Sequence, residues 1–370
     1  MKSKKILFIL DHLKGGGAER IALEVAEKFY NIGHHVSVAL LDDKDTKMLV
    51  PQKIHKININ LDPIFYTGRF WRNRKNKFLP EDKKKVRGLI DDIKPDLIIL
   101  SHSYAHFMLP IFKNNENVWA WVHGDIMPRP EIETSSFFYW YKEKRRCYLE
   151  NRYFFKLFDK KNVIVVNEEL KNIYRKSIPN TNVVIVPNGI NTERVLKNIP
   201  ENTEKLWDCI FVGRLSAEKQ PEHAIQAFAR SKLNGRMAVV GDGLMRTDLE
   251  KLCVELQIQD RVDSLGWKEN PSLFIKKSHC LVLSSKTEGS PLIVAEALTL
   301  GTPVVAYRLN SGIEQQLNHN QLKHGLVESQ NIDDLSDKLQ AVVNEPYAIS
   351  QEDKNRLSLN YMMDSFLKLL

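Results

Sequence analysis

Short apolar runs alternate with longer amphipathic stretches along this chain. Residues 4–41 read "KKILFILDHLKGGGAERIALEVAEKFYNIGHHVSVALL". An apolar run leads into a glycine-rich loop, and Ile21, Val25 and Phe29 then recur at helical spacing before a second apolar run. Gly33 marks the end of that helix. Runs at "DLIILS" (96–101), "VWAWVH" (118–123), "NVIVVN" (162–167) and "NVVIVP" (182–187) have the length and composition of buried strands, with helical stretches between them. This order predicts a parallel sheet wound on both faces.

After "PNGINTERV" comes a polar stretch, residues 196–205, that reads as a linker, and the pattern then restarts. Strands are expected at "DCIFVGRL" (208–215), "RMAVVGDG" (236–243), "RVDSLGW" (261–267) and "LVLSS" (281–285), with helices near 221–231 and 245–257. The prediction is an α/β chain of two doubly wound domains, residues 1–197 and 198–352, with a cleft between them. A closing helix over 353–370 carries Leu357, Tyr361, Phe366 and Leu369 as its apolar positions. Ligands of such sheets bind beyond the C-terminal strand ends.

One stretch at such an end is "EGSPLIVAEALTLGTPVVAY", residues 288–307. Ser290 then Pro291 reads as an N-cap with proline at the first helical position, and the helix should stop at Gly301. Glu288 precedes a helix whose first N–H groups suit an anion. Glu296 lies inside that apolar helix, where an unpaired carboxylate costs several kcal/mol. Sugar hydroxyls or a buried arginine would each satisfy it.

Other loops add candidates. Gly15, Gly16 and Gly17 let backbone approach a diphosphate closely, yet Arg20 stands where a dinucleotide fingerprint needs its third glycine. "GDGLMR" (241–246) fails the same test at Arg246, and no GK[ST] follows either loop. A nicotinamide enzyme is disfavoured. "FVGRLSAEKQP" supplies Arg214 and Lys219, two cations suited to a fixed diphosphate or to surface pairs with neighbours such as Glu218. "WVHGD" sets His123 at a strand end, as a structural group or as one facing a cleft.

Composition narrows the class. The 370 residues are 43% hydrophobic and 27% charged, which suits a globular protein. Four scattered cysteines without metal spacing read as reduced thiols of a cytosolic protein. No run reaches the ~18 apolar residues that span a bilayer. The net charge of +8 is uneven: residues 65–87 hold nine Lys or Arg against Glu81 and Asp82, among Phe65, Tyr66, Phe70, Trp71 and Phe78. Such a segment suits an anionic membrane surface, nucleic acid, or simply a solvated loop.

Taken in order, "GGGAER", "VPNGIN", "FVGRLSAEKQP", "VVGDGLMRTDLEKL", "SLGWKENPSLF" and "EGSPLIVAE" resemble the retaining glycosyltransferases of family 4, of the bacterial surface-polysaccharide type. The resemblance covers nearly the whole chain. It implies the GT-B fold, two Rossmann-like domains facing across a cleft, with the closing helix crossing back to the first. It also implies a nucleotide-sugar donor, UDP-linked by expectation, held with no metal and no cofactor.

By position, Gly16 and Gly17 would approach the diphosphate and Arg214 and Lys219 would neutralise it. Glu288 would hold sugar hydroxyls, backbone around Ser290, Pro291, Leu292 and Ile293 would meet phosphate or sugar, and Glu296 would bind the ribose. His123 would stand beside the transferred sugar, and Trp267 would line the base pocket. Ser290 and Pro291 replace the aromatic and glycine of many members, which leaves the sugar open. The expected acceptor is a lipid-linked or growing surface glycan, reached from the cytoplasmic face by a peripheral protein whose residues 65–87 touch an anionic membrane. A GT-B-fold nucleotide-sugar epimerase and a basic non-catalytic nucleic-acid-binding protein are the rival readings. The expectation is that nucleic acid is not a partner.

Overall fold

A computed structural model describes residues 2–61, 79–114, 116–124, 137–309 and 311–370, and divides the chain into two compact units. The first unit is Met1–Val186 with Met363–Leu370; the second is Pro187–Met362. The basic aromatic stretch lies outside the described residues from its start to Phe78, as does Asp125.

In the first unit the strands are β1 (Lys5–Leu10), β2 (His35–Leu40), β3 (His55–Asn58), β4 (Leu97–Ser101), β5 (Val118–Val122), β6 (Asn162–Val165) and β7 (Asn182–Ile185). Its helices are α1 (Gly17–Asn31), α2 (Pro80–Ile93), the single turn α3 (Ser103–His106), α4 (Phe137–Phe158) and α5 (Glu168–Ser177). The strands pair in parallel in the order β3-β2-β1-β4-β5-β6-β7. Because successive strand residues point to opposite faces, Leu7 and Ile9 join Ile98, Leu100, Ala120 and Val122 in one core layer. On the other face Phe8 packs near Phe29, with ring centroids 6.3 Å apart.

The second unit begins with the short helix α6 (Thr192–Leu196) and contains β8 (Trp207–Val212), α7 (Pro221–Arg230), β9 (Met237–Val240), α8 (Arg246–Glu255) and β10 (Val262–Gly266). After these come α9 (Ser272–Lys276), β11 (Ser278–Leu283), α10 (Leu292–Thr299), β12 (Val304–Tyr307), α11 (Ser311–Leu317), β13 (Leu326–Val327) and α12 (Ile332–Asn344). The sheet is parallel in the order β10-β9-β8-β11-β12-β13. Its alternation splits the core in two: Ile210, Leu281 and Val304 face one way, and Cys209, Phe211, Cys280 and Val305 the other. All four cysteines are buried and free.

Two expectations need correction. The polar stretch after residue 197 is not where the units part; the division falls at Val186/Pro187, because Ile190 and Val195 are already buried in the second unit's core. Nor is the closing segment one helix. It breaks between α13 (Gln351–Arg356) and α14 (Leu359–Phe366). At the break the Ile190 N–H donates to the Leu357 carbonyl (3.0 Å) and the Leu359 N–H donates to the Ile190 carbonyl (2.7 Å). Gly189 permits this crossing, since a Cβ there would lie 2.2 Å from the Ser358 carbonyl oxygen. The last residues return to the first unit, where Phe366 is fully buried with its ring edge-on to Trp121, centroids 5.0 Å apart. Tyr361, expected among the apolar contacts, is half exposed.

Candidate functional site

Both sheets reverse their strand order beside their first strand, between β1 and β4 and between β8 and β11. A crevice opens at the C-terminal ends of such a strand pair, so the residues just past those ends are the candidates.

In the second unit those residues are 213–220, after β8, and 284–290, after β11. Lys219 Nζ lies 2.8 Å from Glu288 Oε1, and Ser285 Oγ donates to the same oxygen at 2.7 Å. The two loops are stitched by the Ser284 hydroxyl donating to the Gln220 carbonyl (2.7 Å) and the Lys286 N–H donating to the Glu218 carbonyl (2.8 Å). Gln220 holds a left-handed backbone (φ +46°), and its side-chain amide exchanges two hydrogen bonds with that of Gln330, at 2.9 and 2.7 Å. Arg214 sits on the same loop with an exposed side chain, 3.4 Å from Glu218.

The glycines of "GDGLMR" set that loop's course. A Cβ on Gly241 would lie 1.8 Å from the Gly213 carbonyl oxygen, and one on Gly243 2.3 Å from that of Leu215. Both also have positive φ, so this pair serves backbone contact with the Arg214 loop. Trp267, just past β10, is 65% exposed.

Helix α10 starts one residue later than expected: Pro291, with extended backbone, is the N-cap, and Ser290 lies before it. Ser290 is held instead by its neighbours. Its carbonyl accepts from Asn188 Nδ2 (3.1 Å), and Gln316 Nε2 donates to Ser290 Oγ (3.3 Å) and to the Pro291 carbonyl (3.2 Å). Leu292 and Ile293 form the first turn, and Gly301 (φ +78°) ends the helix as expected. Glu296 is buried, and of the two partners left open for it the structure supplies the arginine: Arg194 Nη2 lies 2.8 Å from its Oε1. Arg194 comes from α6, whose N-cap Asn191 accepts its backbone N–H.

In the first unit the glycine loop is closed by its own carboxylate. Glu19 Oε2 accepts the Gly15 N–H at 2.7 Å and the Gly16 N–H at still closer range, while Oε1 lies 2.7 Å from His12 Nδ1. The Gly16 amide, expected to meet a diphosphate, is therefore engaged by Glu19. Burial opposes ionisation of Glu19, but the His12 hydrogen bond and the Gly16 N–H outweigh it and bring its pKa down to about 2. The same contact raises that of His12.

A row of imidazoles continues from there. The His12 ring is stacked near that of His102 (6.1 Å), and His102 is tilted toward His123 (6.3 Å). His123 shares a hydrogen bond of 3.1 Å with Ser101 Oγ and packs against Trp121, centroids 4.4 Å apart. Burial keeps both histidines neutral, with His102 pushed down to about 4 and His123 well below its ordinary value. His102 holds φ +84°, ψ 162°, a conformation found almost only in glycine and costing about 1–3 kcal/mol. Beneath it, Asp11 accepts the Tyr104 and Ala105 N–H groups (3.0 and 2.7 Å), while burial pushes its pKa up to about 7.

Glycosyltransferase domains account for both units. A family model described as "Glycosyltransferase Family 4" matches residues 15–194, and one described as "Glycosyl transferases group 1" matches 192–360. The chain is a glycosyltransferase of the GT-B type. It is 32% identical over 254 residues to an uncharacterized glycosyltransferase of Methanocaldococcus jannaschii, a match covering 62% of this chain and 59% of that protein. An uncharacterized glycosyltransferase of Haemophilus influenzae is 24% identical over 96% of this chain and 95% of its own. The lipopolysaccharide 1,6-galactosyltransferase of Escherichia coli is 28% identical over 38% of this chain and 41% of its own. Among solved structures, Anabaena HepE in complex with UDP and glucose superposes with a TM-score of 0.76, at 19% identity, over 99% of this chain and 98% of that one.

Within this glycosyltransferase, sequence reasoning had passed over Glu19, Arg194, Ser285, His12 and His102. Glu19 carried a local signal, since a glutamate three residues after the helix N-cap is the capping-box spacing. Arg194 carried none, being 102 residues from its partner. Among the described residues no group of three or more His, Cys, Asp or Glu is arranged to hold a metal ion.

Proposed function

We propose that this glycosyltransferase moves a sugar from a UDP-linked donor, with retention at the anomeric carbon and without a metal ion, to a lipid-linked or growing surface glycan. The observation that carries the reading is the Lys219–Glu288–Ser285 contact at the switch point of the second sheet. A donor diphosphate would draw Lys219 to itself, assisted by Arg214 on the same loop. That exchange would release a carboxylate, Glu288, to accept hydrogen bonds from sugar hydroxyls. Backbone at Ser290, Pro291, Leu292 and Ile293 opens α10 beside it. In the first unit, neutral His123 offers one donor and one acceptor nitrogen. The UDP bound by Anabaena HepE supports the donor class, and the name of the Escherichia coli relative supports the acceptor class.

The experiment is UDP release from a panel of UDP-sugars, with and without glycan-lipid acceptors, in excess EDTA. Release that needs acceptor and survives EDTA is expected; a rate that returns only with manganese or magnesium overturns the metal-free reading. Glu288→Ala should weaken the whole donor more than UDP, and Glu296→Ala should weaken both alike. Equal losses at both positions overturn this division of roles. The reading includes a peripheral seat on an anionic membrane, first placed on residues 65–87. No helix among the described residues is long and apolar enough to cross a bilayer. Anionic-vesicle binding that survives the combined change of Arg72, Arg74, Lys75 and Lys77 to glutamine overturns that placement.

A further inference from the structure

Helix α4 presents a surface that neither the fold nor the donor loops explain. Its buried positions are Glu143, Cys147, Glu150, Phe154, Leu157 and Phe158, a single stripe along one side. The C-terminal half docks through Phe154, Leu157 and Phe158 into the first unit's core. In the N-terminal half the stripe holds only Glu143 and Cys147 before Glu150. Both of the helix's acids thus turn inward, where Arg146 meets them at 2.6 and 3.6 Å.

The outward side has the opposite character. Phe137 is 80% exposed and Phe138 78%, with Tyr139, Tyr141, Tyr148 and Leu149 also exposed. Six of the seventeen exposed large hydrophobic residues described thus fall within thirteen positions, which makes a patch of them. Lys142, Lys144, Arg145, Arg152 and Lys156 are exposed on the same helix, so every exposed charge on it is positive. Phe137 stacks near Trp140, and the Lys144 ammonium lies 3.9 Å from the Trp140 ring centroid.

Aromatic rings with polar edges, long cationic side chains that snorkel and an absence of outward acids match the boundary of an anionic bilayer. A cationic rim gains nothing from a neutral apolar partner, but lies where anionic headgroups supply the countercharge. We propose that residues 137–149 of α4 seat on the headgroup layer of an anionic membrane, with Phe137 and Phe138 entering the acyl boundary. This assigns a described surface to the peripheral part of the proposed function, and its test keeps the two apart.

The full chain is sedimented with phosphatidylcholine vesicles and with vesicles containing three parts in ten phosphatidylglycerol, and nucleotide binding is measured in parallel. The parent should bind the anionic vesicles at least tenfold better than the neutral ones. The combined change Phe137→Ser, Phe138→Ser and Tyr141→Ser should lower anionic binding at least tenfold, with circular dichroism and UDP affinity unchanged. Lys142→Gln with Lys144→Gln and Arg145→Gln should remove the anionic preference. Brominated lipid should quench tryptophan emission in the parent and in Trp71→Phe, but much less in Trp140→Phe. The proposal is overturned if both helix variants sediment as the parent does, if quenching persists in Trp140→Phe, or if neutral vesicles bind equally well. Loss of nucleotide binding in the parent would instead count against the donor reading and leave this one standing.

Discussion

Replacing Glu19 with glutamine keeps the side chain's shape and removes one charge from the glycine loop. In the parent the carboxylate is drawn from its ordinary 4.5 to about 2, burial opposing and the His12 and Gly16 contacts prevailing. At about 1.4 kcal/mol per tenfold change in proton affinity the full drop would be about 3 kcal/mol, and because it is shared with the coupled His12 and screened by solvent, the expected contribution to folding is about 1–2 kcal/mol. The sign follows from which state takes up the proton. Above pH 4.5 the site is ionised whether the chain is folded or not, and the full stabilisation is present. As the pH falls from 4.5 toward 2 the unfolded chain protonates first, and the stabilisation drains away. His12 reports the same contact from the other side, so the two are not added. Its raised pKa makes the pair complete below pH 6.5 and weaker as the pH climbs through the folded value. The comparison therefore belongs at pH 6. Urea unfolding of the parent and Glu19→Gln, followed by tryptophan fluorescence, should differ by about 1–2 kcal/mol at pH 6 and by less than half of that at pH 3. Hydrogen exchange should show the Gly15 and Gly16 amides opening in the variant. A difference that stays constant from pH 6 to pH 3 would refute the argument, because it would mean that shape, not charge, holds the loop.

Lys219→Ala should lose about 1.5–3 kcal/mol of donor affinity in calorimetry, and exposed Arg214→Ala a smaller amount. Unchanged affinity in both would sink the diphosphate assignment. Gly241→Ala drives a methyl group to 1.8 Å from the Gly213 carbonyl oxygen at a backbone angle that disfavours it. A loss of about 4 kcal/mol or more is expected, and a melting temperature within a degree or two of the parent would contradict the close approach. Phe366→Ala empties a site beside Trp121 and Phe29, at an expected cost of about 3–5 kcal/mol in the first unit's unfolding.

Most of the fold was legible because buried parallel strands write themselves as continuous apolar runs. "DLIILS", "VWAWVH" and "NVIVVN" needed no partner to be read, and β3 and β13 were missed because they are short edge strands. The helix start at Pro291 slipped by one because a serine before a proline looks like a cap whether or not its hydroxyl is drawn elsewhere, here toward Gln316. The break at Leu357–Ser358 was invisible for another reason. Its cause is a backbone crossing with Gly189–Ile190, and nothing local to residues 350–370 announces it. The candidate site divides the same way. Lys219, Glu288 and Glu296 stood out by residue type and place, whereas Arg194 and the His12–His102–His123 row depend on contacts that only the folded chain makes.

The return of the last residues to the first unit bears on how the protein is made. A ribosome that has delivered residues 1–186 has released all seven strands of the first sheet, but not the ring that packs between Phe29 and Trp121. That ring is Phe366, which follows the whole second unit in the chain, and the Leu369 carbonyl that accepts from Asn117 Nδ2 arrives later still. The earliest segment translated therefore waits with an open apolar seam while the whole second unit is synthesised and folds. A chain cut off before Phe366 would leave the second unit's core intact and the first permanently unsealed, a species for holdase chaperones to bind and proteases to clear.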